Sequence, residues 1–142
     1  MNDTEIIKEN IKIVVVDDAD FTRRSVAEIL QKEGYNIVGE ASSANDALQI
    51  LGSTNVDIFI IDVVMPDSSG IELADAIIEQ FANTPTPVHV IMTSSLRMEN
   101  IIIDAISKGV SDFIIKPFEK DDIIKSVEKL SLQIQGEKNR LG

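Results

Sequence analysis

Residues 56–70 have the sequence VDIFIIDVVMPDSSG, and this stretch decides how the rest of the chain folds. Four consecutive apolar residues, Ile58 to Ile61, are typical of a short buried strand, because a helix needs a longer run. A parallel strand covered by helices on both faces requires this continuous apolarity. The run ends at Asp62, and the turn-forming residues from Pro66 to Gly70 predict a loop. The stretch therefore places one carboxylate at the carboxyl end of a central strand, where open α/β sheets bind ligands.

The chain alternates between strand and helix patterns on both sides of this stretch. Further strands are predicted at residues 11–16, 35–40, 88–92 and 112–115. Helices are predicted to end at residue 33 and to span residues 44–51, 70–81, 98–108 and 121–135. Ser43 is an expected N-cap, and Gly34, Gly52 and Gly109 are expected helix stops. This alternation predicts an α/β fold in which helices cover both faces of a five-stranded parallel sheet.

The length of 142 residues suits one domain. We predict that this domain covers residues 11–135. A polar N-terminal arm, residues 1–10, precedes it, and a polar C-terminal tail, residues 136–142, is expected to be frayed.

Composition excludes several kinds of site. The chain has no cysteine and one histidine, His89, which excludes thiolate metal sites and argues against a histidine-based metal site or a Ser/His/Asp triad. The net charge of −11 disfavours binding to nucleic acid or anionic membranes and suits a divalent cation or a basic partner. Neither a membrane span nor a signal peptide is evident, so a cytoplasmic location is expected.

Polar residues follow several of the predicted strands. Asp17 and Asp18 follow the first strand, Asp62 the third, Thr93 the fourth and Lys116 the fifth. Because the carboxyl ends of parallel strands share one edge, we expect these groups to converge. Three close carboxylates repel one another unless a cation lies among them, and Mg²⁺ prefers oxygen ligands. An aspartate beside Mg²⁺ and a lysine is suited to accepting a phosphoryl group.

Each element taken alone has a simpler interpretation. Paired acids after a strand often cap a helix, and a single aspartate at a strand end is commonly a turn residue. The functional hypothesis depends on all of these groups falling at strand ends in one chain.

Together these motifs resemble the receiver domain of bacterial two-component response regulators, particularly the single-domain chemotaxis type. The resemblance covers about residues 11–135. It is carried by Val14-Val15-Val16-Asp17-Asp18, Asp62 with Met65-Pro66 and Gly70, Thr93, and Phe113-Ile114-Ile115-Lys116-Pro117-Phe118. It implies a flavodoxin-like, doubly wound sheet with strand order 2-1-3-4-5 and five helices.

The resemblance also implies a phosphorylation site and a metal site. Asp62 would accept the phosphoryl group. Asp18 and Asp62 would bind Mg²⁺ through their side chains, Val64 through its backbone carbonyl and Asp17 mainly through water.

Further roles implied by the resemblance concern the response to phosphorylation. Lys116 would pair with the phosphoryl oxygens, and the Lys116–Pro117 bond would be cis. Thr93 would move toward the phosphoryl group, and Phe113 would turn inward as a switch.

The sequence departs from the common pattern near the phosphoacceptor. Val64 lies two residues after Asp62, where the family often has a polar side chain that can influence the attacking water; Ser95 is the companion position after Thr93. We therefore expect a hydrolysis rate unlike that of a regulator with an amide at residue 64. Ser94 replaces a common alanine, which leaves the path of the switch loop open.

The implied function is that of a phosphorylation-activated response regulator in a phosphorelay, and not that of an enzyme beyond its own phosphotransfer and dephosphorylation. The partners would be a sensor histidine kinase or phosphotransfer protein and a downstream protein target in trans, in chemotaxis or another pathway. No direct DNA binding and no membrane binding are expected.

The output face would be the fourth helix, fifth strand and fifth helix, and a homodimer through this face stays open. A single inward stripe of the fourth helix would use Ile102, Ala105 and Ile106, leaving Ile101 or Ile103 exposed. Leu132 lies off the inner stripe of the last helix.

Three other functions are alternatives to that of a phosphorylation-activated response regulator. A dehalogenase-type phosphatase needs a second acid two residues after its nucleophile, where this chain has Val64. A nucleotide-binding protein would need a glycine-rich loop after the first strand, which is absent. A receiver that acts as a scaffold without phosphorylation remains an alternative.

Overall fold

A computed structural model describes residues 6–141 of the chain. Five strands alternate with five helices, after a short 3₁₀ helix at Lys8–Asn10. The elements are β1 (Lys12–Val16), α1 (Asp20–Lys32), β2 (Asn36–Ala41), α2 (Ala44–Ser53), β3 (Ile58–Asp62), α3 (Gly70–Phe81), β4 (His89–Ser94), α4 (Glu99–Ser107), β5 (Asp112–Ile115) and α5 (Lys120–Leu141).

All strand pairs are parallel, and the strand order is β2-β1-β3-β4-β5. The predicted fold class and strand order are therefore confirmed. Asp62 is opposite Thr93 in the β3–β4 register, and Val16 is opposite Ile61 in the β1–β3 register. This register brings the ends of the three inner strands to the same level of one sheet edge.

The core consists of two apolar layers, one on each face of the sheet. All five residues of β3 are buried, as its continuous apolar sequence predicts. Phe59 and Ile61 pack in the layer that includes α2, α3 and α4, whereas Ile58 and Ile60 pack in the layer that includes α1 and α5. β3 is thus covered by an apolar layer on each face. Its carboxyl end is the part of the strand that can approach solvent.

Most predicted helix signals are confirmed. The Ser43 hydroxyl accepts a hydrogen bond from the backbone N–H of Asp46 at 3.1 Å, as an N-cap does. Gly34 and Gly109 follow the ends of α1 and α4 with φ of 100° and 96°, a conformation that favours glycine. The predicted stop at Gly52 is wrong, since α2 continues to Ser53.

The predicted frayed tail is wrong for residues 136–141, which continue α5. Side chains in this last part of the helix bind the amino-terminal edge of the sheet. Glu137 lies 3.0 Å from His89, and the Lys138 ammonium group lies 3.1 Å from the Asp57 carboxylate and 2.8 Å from the Asn10 carbonyl. These long-range contacts hold a segment whose polarity alone suggests disorder. Of the arm predicted at residues 1–10, residues 1–5 lie outside the described part of the chain.

The inner face of α4 differs from the expectation. Ala105 is fully buried and Ile101 packs against the core, so the inner stripe uses positions 101 and 105. Ile106, predicted to face inward, is 49% exposed, and Ile103 is 59% exposed. Leu132 is exposed on α5, as predicted.

Across residues 6–141, no helix combines the length and the apolar character needed to cross a membrane.

Candidate functional site

Three carboxylates meet at the carboxyl edge of the sheet. Asp17 and Asp18 follow β1, and Asp62 ends β3. One carboxylate oxygen from each lies within 4.8 Å of those of the other two. Asp17 and Asp62 are buried, whereas Asp18 is exposed, so the cluster is open to solvent on one side. The predicted convergence of these acids is present in the structure.

The backbone around Asp62 is tightly bound. The N–H of Val63 donates to the Thr93 carbonyl at 2.9 Å, and the N–H of Gly70 donates to the Val63 carbonyl at 2.7 Å. A Cβ atom at Gly70 would lie 2.0 Å from the Asp62 carbonyl oxygen. Glycine is therefore required where α3 starts against the end of β3.

Lys116 supplies the positive charge of the site. Its ammonium nitrogen lies 2.9 Å from Oδ2 of Asp17 and 3.4 Å from Oδ1 of Asp62. Its backbone N–H donates to the Ser94 carbonyl at 2.7 Å, which ties the end of β5 to the end of β4. The Lys116–Pro117 peptide bond is cis, as the resemblance implied.

Burial and neighbouring charges shift the pKa values of the two central groups. Burial raises the pKa of Asp62, and the nearby charges of Asp17 and Asp18 act in the same direction, while Lys116 opposes them. Burial by itself would lower the pKa of Lys116, but its hydrogen bond to Asp17 and the charge of Asp62 outweigh that effect and raise it. The ionised form of Asp62 is thus incompletely compensated by Lys116, and a bound cation would stabilise it.

The donor set fits Mg²⁺. The three carboxylates offer hard oxygen ligands within 4.8 Å of one another, and the exposure of Asp18 leaves space for retained waters. Val64 lies two residues after Asp62 and is 52% exposed. Its backbone pairs with that of Ser69 in an isolated antiparallel bridge across the loop. The backbone carbonyl of Val64 as a metal ligand stays a prediction.

Thr93 and Phe113 lie where the sequence predicted, on the neighbouring strands. Thr93 is 3% exposed beside Asp62, and Phe113 packs partly buried against the core. Ser94 is also buried, and its hydroxyl accepts a hydrogen bond from the N–H of Leu96 at 2.8 Å, which fixes the start of the loop after β4. The movements expected of Thr93 and Phe113 stay predictions.

Two residues near the site were missed by sequence reasoning. Asp67 accepts hydrogen bonds at 3.0 Å from the backbone N–H groups of Ala44 and Asn45, which lowers the pKa of its carboxyl and ties the loop after β3 to the start of α2. Arg23 of α1 donates to the carbonyl of Asp17 at 2.9 Å. Neither contact has a sequence signal, since each joins a polar side chain to a backbone group in another segment.

Comparison with known proteins identifies the family. The family model described as the response regulator receiver domain matches residues 13–128, which is most of the chain. The chain belongs to the response regulator receiver domain family. The chemotaxis protein CheY of Listeria monocytogenes is 34% identical over 119 residues, a span that covers 84% of this chain and 97% of that protein.

Further comparisons place this receiver domain among single-domain and multidomain relatives. A solved CheX–CheY–BeF₃–Mg²⁺ complex from Borrelia burgdorferi contains a chain with a TM-score of 0.77 and 30% identity, and the match covers 84% of this chain and 88% of that one. A protein-glutamate methylesterase/protein-glutamine glutaminase of Pseudoalteromonas atlantica is 37% identical over 111 residues, or 76% of this chain and 28% of that protein. This chain is therefore a receiver domain of the CheY type, a signalling domain of two-component systems, and the dehalogenase and nucleotide-binding alternatives are set aside.

Proposed function

We propose that this receiver domain accepts a phosphoryl group on Asp62 from a phosphohistidine of a sensor kinase or phosphotransfer protein. The observation that carries the proposal is the convergence of Asp17, Asp18 and Asp62 with Lys116 at one sheet edge. A receiver that acted as a scaffold without phosphorylation would not need a buried acid that is poorly compensated without a cation.

The proposed chemistry is an in-line phosphoryl transfer. A carboxylate oxygen of Asp62 forms a bond to phosphorus while the phosphorus–nitrogen bond of the phosphohistidine breaks, and the imidazole leaves with the bonding electron pair. Mg²⁺ held by Asp17, Asp18 and Asp62 would offset the negative charge on the phosphoryl oxygens. Lys116 would donate to a phosphoryl oxygen, and its ion pairs with Asp17 and Asp62 support this role.

Thr93 is the proposed sensor of the new group. Its pairing with Asp62 in the sheet register supports this role. A hydrogen bond from its hydroxyl would draw the end of β4 toward the site, and Phe113 on the neighbouring strand would turn into the space vacated. The result would be a changed surface on α4, β5 and α5.

The proposed output is a protein contact made through that face in trans. Ile103 and Ile106 expose 59% and 49% of their surface on α4, and Leu132 exposes 47% on α5. Apolar side chains on a face that responds to phosphorylation suit a protein target. The net charge of −11 supports a protein partner rather than DNA. A homodimer through the same face is the alternative partner.

Incubation with a small phosphodonor and Mg²⁺, followed by intact mass measurement, tests the proposal. Wild type should gain one phosphoryl group, and Asp62→Asn should gain none. Asp67→Asn is a matched control, because Asp67 lies in the same loop but binds the backbone of α2. A folded wild-type protein without the gain would favour the scaffold alternative, and a gain that survives in Asp62→Asn would assign the phosphoryl group elsewhere.

A further inference from the structure

Arg23 of α1 connects three segments around the acidic cluster. One guanidinium nitrogen, Nη1, lies 2.9 Å from the carbonyl oxygen of Asp17. Nη2 lies 2.7 Å from the Asp20 carboxylate, and Nε lies 3.3 Å from the Glu40 carboxylate on β2. The side chain is only 14% exposed. A partly buried guanidinium whose three nitrogens each have a partner is typical of a residue that holds other groups in place.

Every polar group of Asp17 has a partner in this arrangement. Its N–H donates to the Ala41 carbonyl at 3.0 Å, and its carboxylate accepts from the Ala19 N–H and the Lys116 ammonium group, both at 2.9 Å. The remaining group, the carbonyl, is the one that Arg23 binds. The orientation of the whole residue is therefore determined by contacts on all sides.

The bond to the carbonyl also affects Asp18. The carbonyl of Asp17 belongs to the peptide unit that leads into Asp18, so its orientation sets the position of the Asp18 backbone from which the carboxylate extends. Asp18 is exposed on a bend, whereas Asp17 is buried. Arg23 thus holds the peptide plane next to Asp18, the exposed carboxylate of the cluster.

We propose that Arg23 is a positioning residue for the divalent-cation site, acting through the Asp17–Asp18 peptide unit and anchored by Asp20 and Glu40. The inference rests on the proposed function, because it assumes that these acids bind Mg²⁺. Arginine suits the role because its rigid fork reaches one carbonyl and two carboxylates at once, which the ammonium group of lysine cannot reproduce.

A pure charge effect and a loss of positioning predict different changes in Mg²⁺ affinity when Arg23 is replaced. A guanidinium near the acids repels a cation, so an effect of charge alone predicts tighter Mg²⁺ binding in Arg23→Gln and no change in Arg23→Lys. Loss of positioning predicts weaker binding in both variants. Mg²⁺ should suffer more than Ca²⁺, because Mg²⁺ demands near-ideal octahedral geometry whereas Ca²⁺ tolerates irregular sites.

Calorimetric titration of Mg²⁺ and Ca²⁺ into wild type, Arg23→Lys and Arg23→Gln tests the inference. Lys32→Gln is the matched control, since it removes the same charge from the exposed last turn of α1, away from Asp17 and Glu40. Loss of one ordering hydrogen bond should raise the Kd for Mg²⁺ about threefold to tenfold in both Arg23 variants. The Kd for Ca²⁺ should rise less, and both Kd values should stay unchanged in Lys32→Gln.

Each outcome either supports or overturns the positioning role of Arg23. Wild-type affinity for Mg²⁺ in Arg23→Lys, tighter binding in Arg23→Gln, or equal losses for the two ions would overturn the positioning role while leaving the proposed function intact. Absence of Mg²⁺ binding in wild type would overturn both. Circular dichroism of the metal-free variants reports folding, and if Arg23→Gln fails to fold, the conservative Arg23→Lys variant decides alone.

Discussion

Replacing Gly70 with alanine should destabilise the fold and disturb the backbone of Asp62, the proposed phosphoacceptor. A Cβ atom there would lie 2.0 Å from the Asp62 carbonyl oxygen and 2.9 Å from Cα of Val63. Neither neighbour is the end of a flexible side chain, so the start of α3 has to move by about 1.5 Å to restore ordinary contact distances.

The energetic cost follows from that displacement. It weakens the 2.7 Å hydrogen bond from the Gly70 N–H to the Val63 carbonyl, at about 1 kcal/mol. Overpacking against a rigid backbone adds about 1–3 kcal/mol. We expect Gly70→Ala to lower the free energy of unfolding by about 2–4 kcal/mol.

Urea unfolding followed by circular dichroism, in the presence of a chelator, measures this effect. Gly136→Ala is the matched control, because Gly136 lies within α5 and a Cβ there meets no atom within 4 Å. That control should gain about 0.5–1 kcal/mol, since alanine is the better helix former. A Gly70→Ala variant within about 0.5 kcal/mol of wild type would refute the close approach of α3 to β3.

Four further outcomes are expected. Burial raises the pKa of Asp62, so ionisation of this carboxyl destabilises the folded chain. The resulting loss in the free energy of unfolding is absent below the pKa of the unfolded carboxyl and grows as pH rises through the pKa of the folded one. Without divalent ions, Asp62→Asn should therefore melt above wild type at pH 7, with a difference that shrinks below about pH 4, and equal melting at both pH values would contradict this. A chain ending at Gly136 should lose about 1–2 kcal/mol in urea unfolding, because the contacts of residues 137–141 with the sheet edge disappear. Val64→Asn should shorten the phosphoryl lifetime severalfold, timed by phosphate release, because an amide can orient water; an unchanged lifetime would reject this role. Ile103→Lys should weaken binding of the phosphorylated chain to its target at least about tenfold by calorimetry, without slowing phosphorylation, and intact binding would move the output surface elsewhere.

The sequence predicted the sheet and the convergence of the acids for a clear physical reason. The apolar run ending at Asp62 must be a buried strand, and parallel strands place their carboxyl ends on one edge whatever their separation along the chain. Asp17, Thr93 and Lys116 could therefore be brought to Asp62 without knowledge of any side-chain contact. Local patterns were sufficient because apolar runs indicate burial and the alternation of strands with helices indicates parallel strands.

The contacts that were missed involve polar side chains far apart in sequence. The helix-capping role of Asp67 and the binding of Glu137 and Lys138 to the sheet edge depend on distances that only the assembled fold determines. The inner face of α4 was misassigned at Ile106 for a different reason. Four isoleucines within six positions give no single apolar stripe, and the buried Ala105 selects Ile101 as its neighbour on the inner face.

The most direct test of the central claim locates the phosphoryl group by chemistry. Borohydride reduces an aspartyl phosphate to the alcohol, which marks the modified residue with a permanent change of mass that peptide mass spectrometry can assign. After treatment with a small phosphodonor and Mg²⁺, the reduced residue should be Asp62 alone, and omission of Mg²⁺ should abolish the mark. Reduction at another carboxylate, or none in folded protein treated with phosphodonor and Mg²⁺, would contradict the claim that Asp62 is the phosphoacceptor.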